Sequence, residues 1–364
     1  MTATSTRRRT NYRPTGYARM RLPGGRSLLL HRRTLVISLV LLALALLIAT
    51  GTVVTGTYDI TPVDAFGVLG GGGSGLDRFI VVGQRLPRVI AALLVGAALA
   101  TSGAIFQSVS RNPLGSPDVI GFTTGAATGG IAVILLAGTA TAAAVSIGTF
   151  VGGGIAAVAV VLLSMRRRLT GERLVLDGIA VAAMLAAVND YLLSRAPIEQ
   201  AETAKAWQYG SLNAITWGPI APVAVVVALV VPAALAHGRA LRALELGDDA
   251  AAGIGLPLQR TRIIALALGV ALAAIAVATA GPIGFLALAA PQLARRIART
   301  PGVSILAAAS MGALLLVTAD LGAQRLLAPF QIPVGLVTAA LGGAYLVWVL
   351  VTADASHRAA RTSQ

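Results

Sequence analysis

The chain has 364 residues and a formal charge of +15, with 56% of its residues hydrophobic and only 12% charged. A soluble domain is about 45–50% apolar and about 25% charged, so half the usual charge is too little to cover a globule of this size in water. With a mean hydropathy of +0.81, these figures exclude a soluble enzyme and a disordered chain and point to a polytopic membrane protein.

Cysteine is absent, which removes disulfides, thiolate metal sites and cysteine nucleophiles from consideration. The positive charge is concentrated at the start. Nine arginines and no acids fall in the first 33 residues (Arg7, Arg8, Arg9, Arg13, Arg19, Arg21, Arg26, Arg32 and Arg33), and the remainder holds 20 basic against 14 acidic residues. Such a tail ahead of an apolar segment fits membrane orientation, and nucleic acid is not expected as a partner. The apolar stretch 35–55 is longer than a signal-peptide core and no small-x-small site precedes a soluble domain, so it reads as an uncleaved first span.

A helix rises about 1.5 Å per residue, so about 20 apolar residues cross the hydrocarbon core. On that ruler about ten transmembrane helices are expected, at 35–55, 88–109, 119–137, 141–164, 174–194, 219–236, 262–280, 283–299, 303–323 and 333–352. The apolar runs are continuous rather than alternating, which makes them helices, not barrel strands. Arginines set the topology. Arg111, the run Arg166, Arg167 and Arg168, then Arg239, Arg242, Arg260, Arg262, Arg295, Arg296, Arg299, Arg358 and Arg361 fall in alternate loops, while Asp59, Asp64, Asp77, Glu199 and Glu202 fall in the others. Both termini are therefore expected in the cytoplasm. This gives a basic cytoplasmic tail over 1–34, a transmembrane domain over 35–352 and a cytoplasmic C-terminal tail over 353–364.

Glycine and alanine crowd the spans, as in Gly121 to Gly130, which reads as close helix packing. The glycine run Gly70 to Gly75 has no Lys-Ser/Thr at phosphate-loop spacing and reads as a flexible connector. The single lysine, Lys205, cannot complete a phosphate-binding loop, so an ATP-driven process needs an ATPase on another chain. His31, His237 and His357 are widely spaced, and no metal site is expected. Asp177, Asp190 and Asp320 fall in or near spans. All three read as helix-end residues, and the lack of midplane carboxylates weighs against an ion-coupled secondary transporter without removing it. An intramembrane enzyme has no nucleophile, metal cluster or acid/base pair to support it, and no catalytic residue is assigned.

Four segments are more specific than lipid-facing filler. They are Arg85-Leu-Pro-Arg88, the stretch Ser110 to Asp118 with two prolines that cannot continue a helix, Trp207 to Leu212, and Gly281 to Gln292 with prolines at and inside a span. In this order R-L-P-R, R-N-P-L, W-x-x-G-S-L and G-P-I-G-F resemble the FecCD family of ABC importer permeases, which import ferric siderophores, haem and cobalamin. The likeness runs from about Leu35 to Thr352. Asn112 to Gly125 and Pro291-Gln292 resemble the second permease subunit of ferric-enterobactin systems, although many members carry histidine where this chain has Gln292.

The resemblance implies an all-α, BtuC-like type II importer permease of about ten transmembrane helices. It implies a ferric siderophore as cargo, with haem or cobalamin as alternatives, and ABC ATPase subunits that bind ATP and Mg2+, this chain holding no cofactor. A second permease subunit, expected to be a paralogue, and an extracytoplasmic siderophore-binding lipoprotein complete the assembly. The loop between spans six and seven, about 239–258, is implied to dock into the ATPase through Leu244, Glu245, Gly247, Asp248, Asp249 and Gly253, with two short helices broken at Gly247. Arg85, Arg88 and Arg325 are implied to meet acidic residues of the lipoprotein, Arg325 falling one place later than usual. Asn189 and Thr338 are implied to face the translocation path.

Overall fold

The computed structural model describes residues 17–21, 27–56, 58, 60–136, 141–165, 170–213, 215–300, 302–328 and 330–362, with the backbone alone for 17–21, 27–30, 349–350 and 352–362. Arg7, Arg8, Arg9, Arg13, Arg26, Asp59 and the run Arg166, Arg167 and Arg168 lie outside the described residues. The tail is not entirely irregular. Strands β1 (Tyr17–Arg21) and β2 (Ser27–His31) pair antiparallel, Tyr17 opposite His31, and lead straight into α1 (Arg32–Val54).

The body is helical. After α1 come α2 (Pro62–Leu69) and α3 (Gly75–Arg78), then a wider π-turn segment, Phe79–Arg85, that runs without a break into α4 (Leu86–Ser110). Then follow α5 (Phe122–Leu136), α6 (Ala142–Met165), α7 (Gly171–Arg195), α8 (Ile198–Gln208), α9 (Ile220–Glu245), α10 (Asp248–Gly253), α11 (Leu258–Ala280), α12 (Leu286–Ala298), α13 (Ile305–Arg325) and α14 (Val334–Thr362). The glycine run is not a plain connector. Ser74 ends it as the N-cap of α3, its hydroxyl accepting from the Asp77 N–H while the Asp77 carboxylate accepts from the Ser74 N–H.

Helix α4 is the axis of the core. It packs against α9, α11, α12 and α13, and Leu99, Ala104, Ile105 and Phe106 are closed off on all sides. The small residues make this possible: Gly96 abuts Gly312 of α13, Gly103 abuts Ala287 of α12, and Gly125 and Gly129 of α5 abut Gly152 and Gly148 of α6. Some polar groups inside the apolar helices are bonded locally, as when the Ser38 and Thr52 hydroxyls donate to the carbonyls four residues earlier, and others across helices, as Ser102 to the Gly269 carbonyl. The outer helices turn large apolar side chains outward, including Leu47, Ile155 and Leu229, as a lipid-facing surface requires.

Seven helices among the described residues are long and apolar enough to cross a membrane, α4 counted with the π segment, against the ten spans expected. The expected spans 119–137 and 333–352 meet shorter apolar pieces, α5 and Val334–Trp348 of α14, and 283–299 meets the 13-residue α12, which carries Arg295 and Arg296 in its last turn. Helices α5 and α12 start later than expected, after non-helical backbone that holds Pro113 and Pro117 in the first case and Pro282 in the second. Helix α14 continues to Thr362, so most of the expected C-terminal tail is helical.

Candidate functional site

Pro87 shapes the first end of the bundle. It has no N–H to donate and its ring crowds the preceding turn. The chain answers with the π segment, closed by a Leu86 N–H to Val81 carbonyl bond. Arg85 is the last residue of that wide turn and Arg88 lies in the first turn of α4. Both line a cavity of about 450 Å³ together with Arg325, Tyr58, Gln324 and Gln331. The three arginines implied by the resemblance thus share one recess, but they are differently committed. Arg88 forms a forked pair with Asp320, Nη2 to Oδ1 and Nε to Oδ2 both at 2.9 Å, and donates to Gln331 Oε1 at 2.7 Å. Arg85 donates to the carbonyls of Val53 and Tyr58, at 3.1 and 2.9 Å. Arg325 is exposed.

Asp320 differs from its sequence reading. It is fully buried in α13, not a solvated helix end, and also accepts from Gln324 Nε2 at 2.8 Å. Asp177 accepts from the Ser164 hydroxyl at 2.7 Å, and Asp190 is exposed. Among the described residues no group of three or more His, Asp or Glu is gathered in metal-binding range.

At the opposite end of α4 lies the segment 239–258. The expected pair of short helices is replaced by a longer α9 that runs to Glu245 and a single short helix, α10, because α9 stays helical until Gly247. Gly247 sits at φ +103°, ψ 160°, backbone that glycine adopts freely, and so redirects the chain into α10. Asp248 accepts from Arg262 Nη2 at 2.6 Å and lies 3.8 Å from Arg111 Nη1. Glu245 Oε1 accepts from the Ser108 hydroxyl at 2.7 Å and from the Val303 N–H at 3.3 Å. These two carboxylates therefore face the helix bundle. Leu244 is buried, Asp249 is exposed, and nothing fills the space beside the Gly253 α-carbon. Leu246 and Ile254, which flank α10, are 70% and 69% exposed. Sequence reasoning passed over both, because an apolar residue in a loop of a membrane protein carries no distinguishing pattern.

Between the two ends the remaining motifs lock together. Gly210 (φ +63°) and Gly281 (φ +72°) bring the Trp207–Leu212 and Gly281–Phe285 segments backbone to backbone, Gly210 against the Pro282 carbonyl and Gly281 against that of Trp207. No side chain fits at either place. The Ser211 N–H donates to the Ala280 carbonyl at 2.7 Å, and the Gly335 N–H to the Gly210 carbonyl at 3.0 Å. Phe285, in left-handed backbone, heads α12, and its N–H donates to the carboxylate of Asp118, which also takes the Thr123 hydroxyl at 2.6 Å. Desolvation pushes the Asp118 carboxyl above its ordinary range, while these two bonds oppose that shift. Gln292 Nε2 donates to Gln107 Oε1 at 2.6 Å, and Gln107 Nε2 donates to the Leu288 carbonyl.

The two residues implied to face a path are not neighbours in the packing. Asn189 lies in α7, which packs on α5 and α6, and its buried Oδ1 has no bonding partner among the described residues. Thr338 lies in α14, which packs on α12 and α13, and its hydroxyl donates to the Gly335 carbonyl at 3.0 Å.

A helical body with a lipid-facing exterior, an arginine-lined recess at one end and a glycine-hinged helix at the other defines a multi-pass membrane permease. Its fold is shared with a solved metal-chelate type ABC transporter in an inward-facing conformation, at a TM-score of 0.77 and 27% identity, over 87% of this chain and 98% of that one. The chain is 43% identical over 320 residues to the ferric enterobactin transport system permease protein FepG of Escherichia coli, covering 88% of this chain and 97% of that protein. It is 34% identical over 330 residues to the siderophore transport system permease protein YfhA of Bacillus subtilis, covering 88% and 95%. The FecCD transport family matches residues 39–352, and the chain belongs to that family, as its motifs led one to expect.

Proposed function

We propose that this chain is the transmembrane subunit of an ATP-driven importer that carries a ferric siderophore of the enterobactin type across the cytoplasmic membrane. The observation that carries this reading is the 43% identity, nearly end to end, with a ferric enterobactin permease. ATP and Mg2+ belong to separate ATPase subunits, and this chain needs no cofactor. A paralogous permease completes the pathway between the two subunits, and a siderophore-binding lipoprotein delivers the cargo. Ten crossings result when α5, α12 and the apolar part of α14 are added to the seven long helices. Both termini then lie in the cytoplasm, with the arginine-rich end of α4, α9 and α12 inside.

On this reading the recess with Arg85, Arg88 and Arg325 faces the lipoprotein. Arg325 and part of Arg85 make the contact, and Arg88 holds the recess together. Helix α10, with Leu246 and Ile254 beside it, docks into the ATPase, while Glu245 and Asp248 tie it to the bundle. Asn189 and Thr338 face the path of the cargo in the assembled pair. The test is mass spectrometry of whatever co-purifies with the tagged chain from iron-starved native membranes in mild detergent. An ATPase with a phosphate-binding loop and a second permease are expected. A chain that repeatedly comes out alone removes the reading.

A further inference from the structure

The end of the bundle near α10 contains a second polar cavity, beside the segment 239–258. It measures about 580 Å³ and is lined by Arg111, Arg239, Arg242 and Arg295, with Glu245 and Gln292 among its polar neighbours. Glu245 is the only carboxylate in the lining, and it is occupied by the Ser108 hydroxyl and the Val303 N–H. Four guanidinium groups therefore surround a space that holds, among the described residues, one carboxylate. Arg239 and Arg242 are exposed and take part in none of the ion pairs among the described residues.

Arg111 strengthens the case. It closes α4 in left-handed backbone, φ +52°, where glycine would sit without strain. A non-glycine residue is strained in that conformation. The side chain held in that conformation reaches both the cavity and, at 3.8 Å, Asp248. Guanidinium forks suit phosphate oxygens, to which they donate two parallel N–H bonds. The cavity also lies where α4, α9 and α12 end, with exposed Leu246 and part-buried Val303 in its wall, so an occupant meets apolar surface beside the charges. Basic pockets between the ends of membrane helices are suited to anionic lipid headgroups.

We propose that this cavity binds the phosphate of an anionic phospholipid, its headgroup held by Arg111, Arg239, Arg242 and Arg295. The full-length chain, purified in detergent and stripped of lipid, is titrated with phosphatidylglycerol, phosphatidylcholine of the same acyl chains, or inorganic phosphate, and read by native mass spectrometry. One phosphatidylglycerol is expected to stay bound at concentrations where phosphatidylcholine does not. Each surface cation near a membrane contributes about fivefold in affinity, so the Arg239→Gln/Arg242→Gln double variant should bind on the order of twentyfold more weakly. Arg260→Gln removes an exposed arginine outside the cavity and should change nothing. Equal retention of phosphatidylcholine, or an equal loss in Arg260→Gln, overturns the site. Binding of inorganic phosphate with the same arginine dependence, but no retained lipid, overturns the lipid assignment. Where the double variant does not give a cooperative melt, Arg239→Gln alone is read, and an affinity unchanged from the wild type overturns the proposal.

Discussion

Arg88 of α4 and Asp320 of α13 form a two-pronged ion pair with a fully buried carboxylate, although 232 residues separate them in sequence. Two helices that already meet through Gly96 and Gly312 are thus fastened again at their ends. Removing one partner of a buried pair leaves an uncompensated charge, which costs about 3–5 kcal/mol. Arg88→Gln and Asp320→Asn should each lower the melting temperature of the purified chain markedly. The double variant should lose less than the sum of the two, since neither charge is then stranded. Additive losses in thermal unfolding would show that the two side chains do not act as a pair.

Arg325 lines the same recess but is exposed. Arg325→Glu should therefore leave the unfolding free energy within about 0.5 kcal/mol of the wild type. It should weaken binding of the cognate binding protein about tenfold at low salt, and the difference should shrink as ionic strength rises. Binding measured at two salt concentrations checks this. Unchanged binding at low salt means that Arg325 makes no contact with that partner.

The class of fold was legible because lipid imposes a composition and a span length that few other solutions meet. The four motifs were legible as a set, and the structure joins two of them: Gly210 and Gly281 bring their segments backbone to backbone, with Gly335 packed beside them. The commitments within the motifs could not be read. R-L-P-R shows two arginines three apart, yet nothing in it shows that Asp320 claims one of them. Span starts were misplaced where a proline precedes the helix, as before α12, because hydropathy does not register a break in backbone bonding. The continuation of α9 to Glu245 was missed for the opposite reason: polar residues near its end look like a loop, although the backbone there is helical.

Gly247 combines a conformation reserved for glycine with an N–H that donates to the Leu244 carbonyl at 3.2 Å. Alanine there is strained by about 1–3 kcal/mol, and proline fits neither the backbone angle nor the hydrogen bond. In the reconstituted importer Gly247→Pro should cut siderophore uptake at least tenfold while ATP hydrolysis continues. Gly247→Ala should fall between it and the wild type. Uptake and hydrolysis that stay in their normal ratio in Gly247→Pro would count against α10 as the element that joins the two activities.

Gln292 holds Gln107, which is 3% exposed, and through it the Leu288 carbonyl. Histidine can supply the donor that Gln107 Oε1 needs, so Gln292→His should transport and melt like the wild type. Leucine cannot, and stranding a buried acceptor costs about 1–3 kcal/mol. Gln292→Leu should therefore melt lower. Equal melting of the two variants would show that the bond carries no stability.

Asp118 offers a test by pH. Its carboxyl is raised by desolvation, so the folded chain holds that proton more firmly than the unfolded chain does. The sign follows from linkage: the stabilisation is present below the unfolded value of about 3.9 and is lost as pH rises through the folded value. Asp118→Asn keeps an acceptor for the Phe285 N–H but cannot ionise. The variant should match the wild type at the acid end of the stable range and melt higher than it at pH 8. Melting curves taken across that range decide the matter: if the gap between the two proteins does not widen with pH, the Asp118 carboxylate is not the group that desolvation penalises.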